Sequence, residues 1–158
     1  MKKFYLGINN FLNHHIFIKS TIYFLSRFCP WMVGVFYALF VLKIYLDYQQ
    51  VLVTLLCKPV IVFILTSLLR MSINRPRPAE YYGFSPIDEK RLKGRSFPSI
   101  HVAVALSIAF VVLNYGPNMG LLLSALAVII TCTRLLTGVH YISDIIASIL
   151  IAVAVALV

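Results

Sequence analysis

Apolar runs long enough to cross a bilayer alternate with short polar connections along most of this chain. A span needs about 20 predominantly apolar residues, and five stretches qualify: residues 30–47, 51–74, 98–114, 117–135 and 139–158. Residues 4–28 carry a different pattern. Asn9, Asn10, Asn13, His14, His15 and Lys19 interrupt them, while Phe4, Ile8, Phe11 and Leu12 recur at helical spacing. This pattern predicts an amphipathic helix in the membrane interface over residues 1–29, with His14 and His15 at its surface; a sixth span is the less favoured alternative. The expected architecture is an all-α, polytopic transmembrane helical bundle of five spans, or six. It forms one domain over residues 1–158, with a polar loop at 75–97.

Alternation of the spans has a consequence independent of any motif. The second span ends near Arg70–Asn74, and the loop 75–97 returns the chain to begin the third at Pro98. Spans three and four join on the far side at Asn114–Asn118, so the fourth ends and the fifth begins back on the first side. Topology alone therefore brings Arg70, Arg77, His101, Arg134 and His140 to one membrane face. Lys43 and Lys58 fall towards the other, where their stems can snorkel. Tyr45, Tyr48, Tyr81, Tyr82 and Tyr141 lie near span ends, as aromatic belts do.

Composition agrees with the spans. Of 158 residues, 61% are hydrophobic and 12% charged, with a mean hydropathy of +0.92, which excludes a soluble domain. The net charge is +9, and seven of the fourteen basic residues lie between Arg70 and Arg95. That stretch is a connection between spans rather than a face of a soluble fold, which argues against nucleic acid and for an anionic lipid partner. Cys29, Cys57 and Cys132 are scattered through apolar sequence without metal-binding spacing. No long apolar core with a cleavage site follows Met1-Lys2-Lys3, so a cleaved signal peptide is not expected.

From Pro98 to Val158 only Arg134 and Asp144 carry fixed charge, joined by His101 and His140. Ionisable groups are expensive in lipid and mark function by default. In Arg70-Met-Ser-Ile-Asn-Arg-Pro-Arg77-Pro78, the prolines Pro76 and Pro78 stop the helix and stiffen the segment that carries the arginines. Guanidinium groups bind phosphate oxygens in pairs and stay charged; the alternative is a basic cluster that only holds anionic head groups. In Ser96-Phe-Pro98-Ser99-Ile100-His101, Pro98 is expected to open the third span, presenting free N–H groups, the Ser99 hydroxyl and His101 to an anion. In Thr133-Arg134 through Asp144, His140 and Asp144 are four apart and expected on one helix face. The carboxylate can then fix the imidazole tautomer and leave the other nitrogen free to attack. Gly138 allows the tight turn. Two histidines and a carboxylate could also ligate a metal, but three converging arginines would repel a cation and already neutralise phosphate. No metal or cofactor is expected.

These three segments resemble the signature motifs of the type-2 phosphatidic acid phosphatase family, which is related in fold to vanadium haloperoxidases. The matching patterns are basic-x6-Arg-Pro (Arg70 to Pro78), Pro-Ser-x-His (Pro98 to His101) and Arg-x5-His-x3-Asp (Arg134 to Asp144). The resemblance implies a metal-independent membrane lipid phosphatase. By position, His140 would form a phosphohistidine, Asp144 would orient it, and His101 would protonate the leaving oxygen and then activate water. Arg70, Arg77, Ser99 and Arg134 would hold the phosphoryl oxygens. Arg70 and Thr133 stand where the family often has lysine and serine, and Ile100 where glycine or aspartate is common. Ile100 bears on substrate choice. The short chain and the Arg-Pro-Arg-Pro and Ser-Phe-Pro-Ser patterns look most like bacterial undecaprenyl pyrophosphate phosphatases. Phosphatidylglycerophosphate, phosphatidic acid and lipid A phosphatases are the alternatives, and a non-catalytic lipid-phosphate-binding membrane protein is the rival from another class. The related enzymes face outward from the bacterial inner membrane. The positive-inside rule would draw loop 75–97 inward, but several of its charges serve substrate, and Lys43 and Lys58 mark the opposite side as cytoplasmic.

Overall fold

A computed structural model of the chain describes residues 1–47, 49–87 and 94–158. Tyr48 and residues 88–93 of the polar loop lie outside the described residues. Every regular element among the described residues is helical: α1 (Lys2–His14), α2 (Ile16–Asp47), α3 (Leu52–Ile73), α4 (Pro78–Tyr82), α5 (Ile100–Leu113), α6 (Pro117–Leu136) and α7 (Ile142–Leu157). One 3-10 turn, Gln49–Val51, joins α2 to α3. The protein is an all-α, polytopic transmembrane bundle in which α2, the run beginning with α3, and α6 are long and apolar enough to cross a membrane.

The shorter apolar helix α5 owes its place to burial. With 14 residues, α5 is only about 21 Å long. It is apolar all round and packs against α6, α3 and α7, with lighter contact to α2. Ala103, Ala105, Ser107 and Ala109 are buried in it, and such small side chains let neighbouring backbones approach. On α6, Gly120 meets the end of α5 so closely that a Cβ would lie 2.5 Å from the Leu113 Cα. Apolar side chains of α2 and α3, among them Leu39, Leu42, Val53, Val60 and Phe63, face outward where lipid would be.

The N-terminal region departs from expectation at one boundary. Amphipathic α1 ends at His14, and the first long helix begins at Ile16 rather than near residue 30. At 32 residues α2 is about 48 Å long, more than the roughly 30 Å hydrocarbon core. Its first turns can stand in the interface, so Lys19 and Arg27 interrupt the apolar pattern without ending the helix. The inward face of α1 is Tyr5 and Leu12, while Phe4 and Phe11 are exposed. At 13 residues α1 is too short to span. His14 and His15 are both exposed. Lys58 does more than snorkel: its Nζ donates to the Ala156 carbonyl at 3.0 Å, at the negative end of the α7 dipole.

Two prolines lie inside long helices, Pro30 in α2 and Pro59 in α3. Proline has no N–H, so the carbonyl four residues earlier loses its helical partner. For Pro59 that carbonyl belongs to Leu55, and the Tyr37 hydroxyl of α2 donates to it at 2.6 Å. Removing the hydroxyl in Tyr37→Phe leaves this carbonyl without a donor in an apolar setting. The expected cost is about 1–3 kcal/mol, read as a lower thermal midpoint in detergent with the far-UV helical signal unchanged.

Candidate functional site

The first motif is shaped by a helix end and two carbonyls. α3 stops where Asn74 adopts a left-handed conformation (φ 35°), two residues ahead of Pro76, and Arg77 is extended before Pro78 opens α4. Arg70 Nε donates to the Arg95 carbonyl, and Arg77 Nε donates to the Gly94 carbonyl at 3.2 Å. Glu80 secures the same stretch by accepting the Gly94 N–H at 2.8 Å. Both guanidinium groups are thus aimed by the returning end of the 75–97 loop.

The second motif corrects an expectation. Pro98 does not open α5; Ser99 is its N-cap, in an extended conformation, and Ile100 is the first helical residue. A serine of α7 holds the backbone there. The Ser148 hydroxyl accepts the Ser99 N–H at 2.9 Å and shares its one hydrogen between the Asp144 carbonyl at 2.7 Å and the Ser99 carbonyl at 3.0 Å, while the Ser99 carbonyl also accepts the Ala103 N–H that opens α5. The Ser99 N–H is therefore taken, whereas its fully buried hydroxyl has no hydrogen-bond partner. His101, in the first turn of α5, is exposed at the site.

The third motif corrects a second one. His140 and Asp144 do not share a helix face, because α7 begins only at Ile142. His140 stands in the preceding turn, which Gly138 makes at φ 70° under the Phe84 ring. Asp144, in the first turn of α7, folds back to accept the Tyr141 N–H at 2.9 Å. That leaves His140 Nδ1 3.6 Å from Asp144 Oδ2, beyond a hydrogen bond, and 2.7 Å from the Ser96 carbonyl. Ser96 also donates its hydroxyl to Asp144 Oδ2, and Arg75 Nη1 donates to Oδ1 at 2.9 Å. Burial holds the His140 imidazole below the ordinary histidine range, against the pull of Asp144 towards the charged ring. Tyr141 and Tyr82 are not belt residues. Tyr141 is buried beneath the Arg75 guanidinium, 3.9 Å from its ring centroid, and both rings pack on Tyr5 of α1.

Arg134 is buried at the end of α6, and its Nη2 donates to the Ser26 carbonyl of α2 at 3.1 Å. Ser26 is the residue four before Pro30, so this carbonyl is the one that Pro30 leaves without a helical partner. The Thr133 hydroxyl turns instead to its own helix, donating to the Ile130 carbonyl. Arg134, His140, Arg70 and Arg77 all lie close enough to act electrostatically on His101, and Arg77 and Arg70 on His140. Among the described residues no three His, Cys, Asp or Glu side chains are gathered as metal ligands. Two histidines with the Arg70, Arg77 and Arg134 guanidinium groups in electrostatic reach make an arrangement suited to a phosphoryl group.

The PAP2 superfamily profile matches residues 50–158, which is most of the chain and holds all three motifs. The chain belongs to the PAP2 superfamily. Its fold is similar to that of Aquifex aeolicus LpxE, with a TM-score of 0.75 at 23% identity over 98% of this chain and 91% of that one. It is also similar to a transmembrane PAP2-type phosphatidylglycerolphosphate phosphatase from Bacillus subtilis, with a TM-score of 0.58 at 18% identity over 98% and 88%. Curated protein sequences contain no significant match. As a PAP2 member with this fold, the protein is a multi-pass membrane hydrolase of lipid phosphates.

Sequence reasoning missed Arg75, Ser96, Ser148 and the Pro30–Ser26 pair. Arg75 lies within the first motif, and Ser148 is a polar position one turn after Asp144 in an apolar helix, so both left a trace. The Ser26 carbonyl left none. Pro30→Ala restores the helical N–H that competes with Arg134 for this carbonyl. The variant is expected to be as thermally stable as the parent or more so, yet several-fold less active. Paired melting and phosphate-release measurements check that opposition.

Proposed function

We propose that the protein removes a terminal phosphate from a membrane lipid by transfer to His140 and hydrolysis of the phosphohistidine, without a metal. The tautomer of His140 carries this assignment. A carbonyl can only accept, so Nδ1, 2.7 Å from the Ser96 carbonyl, bears the hydrogen and Nε2 keeps its lone pair. Nε2 attacks phosphorus as the bond to the lipid oxygen breaks, and His101 gives that oxygen its proton. His101 then takes a proton from water, which attacks phosphorus and releases inorganic phosphate with His140 restored. Arg70, Arg77, Arg134 and the Ser99 hydroxyl hold the phosphoryl oxygens, supplying in advance the positive field that the transition state needs.

Undecaprenyl pyrophosphate is the proposed substrate, supported by the Arg-Pro-Arg-Pro and Ser-Phe-Pro-Ser patterns. Phosphatidylglycerophosphate is the second reading, favoured by the likeness to a phosphatase of that name. The site is proposed to face the periplasm or cell exterior from the bacterial inner membrane, with Lys43 and Lys58 at the cytoplasmic end.

Purified protein in detergent with a chelator is expected to release phosphate from polyprenyl pyrophosphate faster than from phosphatidylglycerophosphate or phosphatidic acid. His140→Ala should lose at least about a thousandfold, and His101→Ala about 10²–10⁴-fold. Because burial favours the neutral ring of His140, protonation disables it only at low pH. The acid limb of kcat/KM should therefore lie below the usual histidine value of about 6.5. Absence of phosphate release from all three lipids would leave a phosphate-binding protein as the better account. A requirement for added metal would overturn the mechanism.

A further inference from the structure

The hydrogen bonds of Asp144 run around His140, whose Nδ1 stands 3.6 Å from the carboxylate as an ion-pair partner. The Ser96 N–H donates to the Arg75 carbonyl at 2.8 Å, the Ser96 hydroxyl donates to Asp144 Oδ2, and Arg75 Nη1 donates to Asp144 Oδ1 at 2.9 Å. These three bonds close a ring through the end of the first motif, the approach to the second and the start of α7. The Ser96 peptide is held on its amide side and by its own side chain, which leaves its carbonyl one direction to face. That direction is His140 Nδ1, at 2.7 Å. Arg75 is secured in turn by the Ser143 hydroxyl at 2.7 Å and by the Tyr141 ring beneath it.

We propose that Ser96 and Arg75 are positioning residues for the nucleophile, and that Asp144 acts on His140 chiefly through Ser96 rather than by a direct bond. The proposal rests on the assignment of His140 as nucleophile and deepens it. A neutral carbonyl fixes the same tautomer as a carboxylate would, but it does less to stabilise the protonated ring. Holding the carboxylate away with Arg75 and Ser96 therefore keeps His140 unprotonated and able to attack. When either is removed, the carboxylate loses a donor and turns towards Nδ1, and the ring becomes easier to protonate. The other groups facing this region stay in place: Tyr5 of α1, Arg70 of α3, Arg77 ahead of α4, His101 of α5 and Arg134 of α6.

The test compares Ser96→Ala, Ser96→Thr, Arg75→Gln, Arg75→Lys, Asp144→Asn and the double variant Ser96→Ala/Asp144→Asn. Rates are measured against pH on polyprenyl pyrophosphate and phosphatidic acid in detergent, with a thermal midpoint for each protein. Ser96→Ala and Arg75→Gln are expected to move the acid limb of kcat/KM up by about one pH unit, and Ser96→Thr and Arg75→Lys to bring it back. A purely structural loss would lower the rate without moving the limb. The double variant should lose no more than the worse single variant, because both act along one route. Arg75, with its side chain 32% exposed, is the more tolerant position, so its pair of variants decides the question even where Ser96→Ala does not fold. An unmoved limb, or losses that multiply in the double variant, would overturn the proposal. His140→Gln keeps the two claims apart. Retained turnover in that variant sinks the nucleophile assignment, whereas a dead His140→Gln beside an unmoved limb sinks only the positioning roles.

Discussion

A carboxylate with no solvent exposure needs donors, and Asp144 collects them from three parts of the chain. Arg75 comes from the connection after α3, Ser96 from the approach to α5, and the Tyr141 N–H from the start of α7. Leaving such a charge unmatched in an apolar bundle would cost several kcal/mol, so these segments are held together wherever Asp144 is buried. The phosphate site inherits its shape from that requirement. His140 is fixed because Ser96 is fixed, and Ser99 is fixed because Ser148, one helical turn beyond Asp144, holds its peptide.

The same demand for satisfied polar groups explains the two mid-helix prolines. In a bilayer no water replaces a lost helical hydrogen bond, so a proline in a span creates a carbonyl that another side chain must serve. Tyr37 serves the Leu55 carbonyl and Arg134 serves that of Ser26. The first pairing ties α2 to α3. The second draws Arg134 against α2, from a part of the chain that precedes the PAP2 match at residue 50. Residues outside the family region therefore help to shape the site: Ser26 beside Arg134, and Tyr5 beneath Tyr82 and Tyr141.

Aromatic and interfacial roles divide by burial rather than by position along a span. Tyr45 and Tyr81 are exposed near span ends, as belt residues would be, whereas Tyr141 is covered by Arg75 and Tyr5. Lys58 similarly meets the end of α7 instead of reaching only for the interface. In each case a neighbouring helix supplies a partner that a local pattern cannot show.

Hydropathy and spacing by themselves determined the helical class, four of the five spans to within a few residues, the family, and the face on which the arginines and histidines meet. These properties follow from local chemistry: an apolar run must be a helix in lipid, and alternation of spans decides which ends share a side. Only the tertiary structure decided how the site is wired. The spacing of His140 and Asp144 suggested a direct bond on one helix face, but α7 starts after His140, and the imidazole finds the Ser96 carbonyl instead. Ser148 of α7 holds the Ser99 backbone at the start of α5, and α2 runs through Pro30, where Arg134 serves the carbonyl that proline abandons. Backbone groups make the deciding bonds at each of these places. Every residue carries the same N–H and C=O, proline's missing N–H excepted, so residue identity records that a partner is needed but not which chain segment brings it.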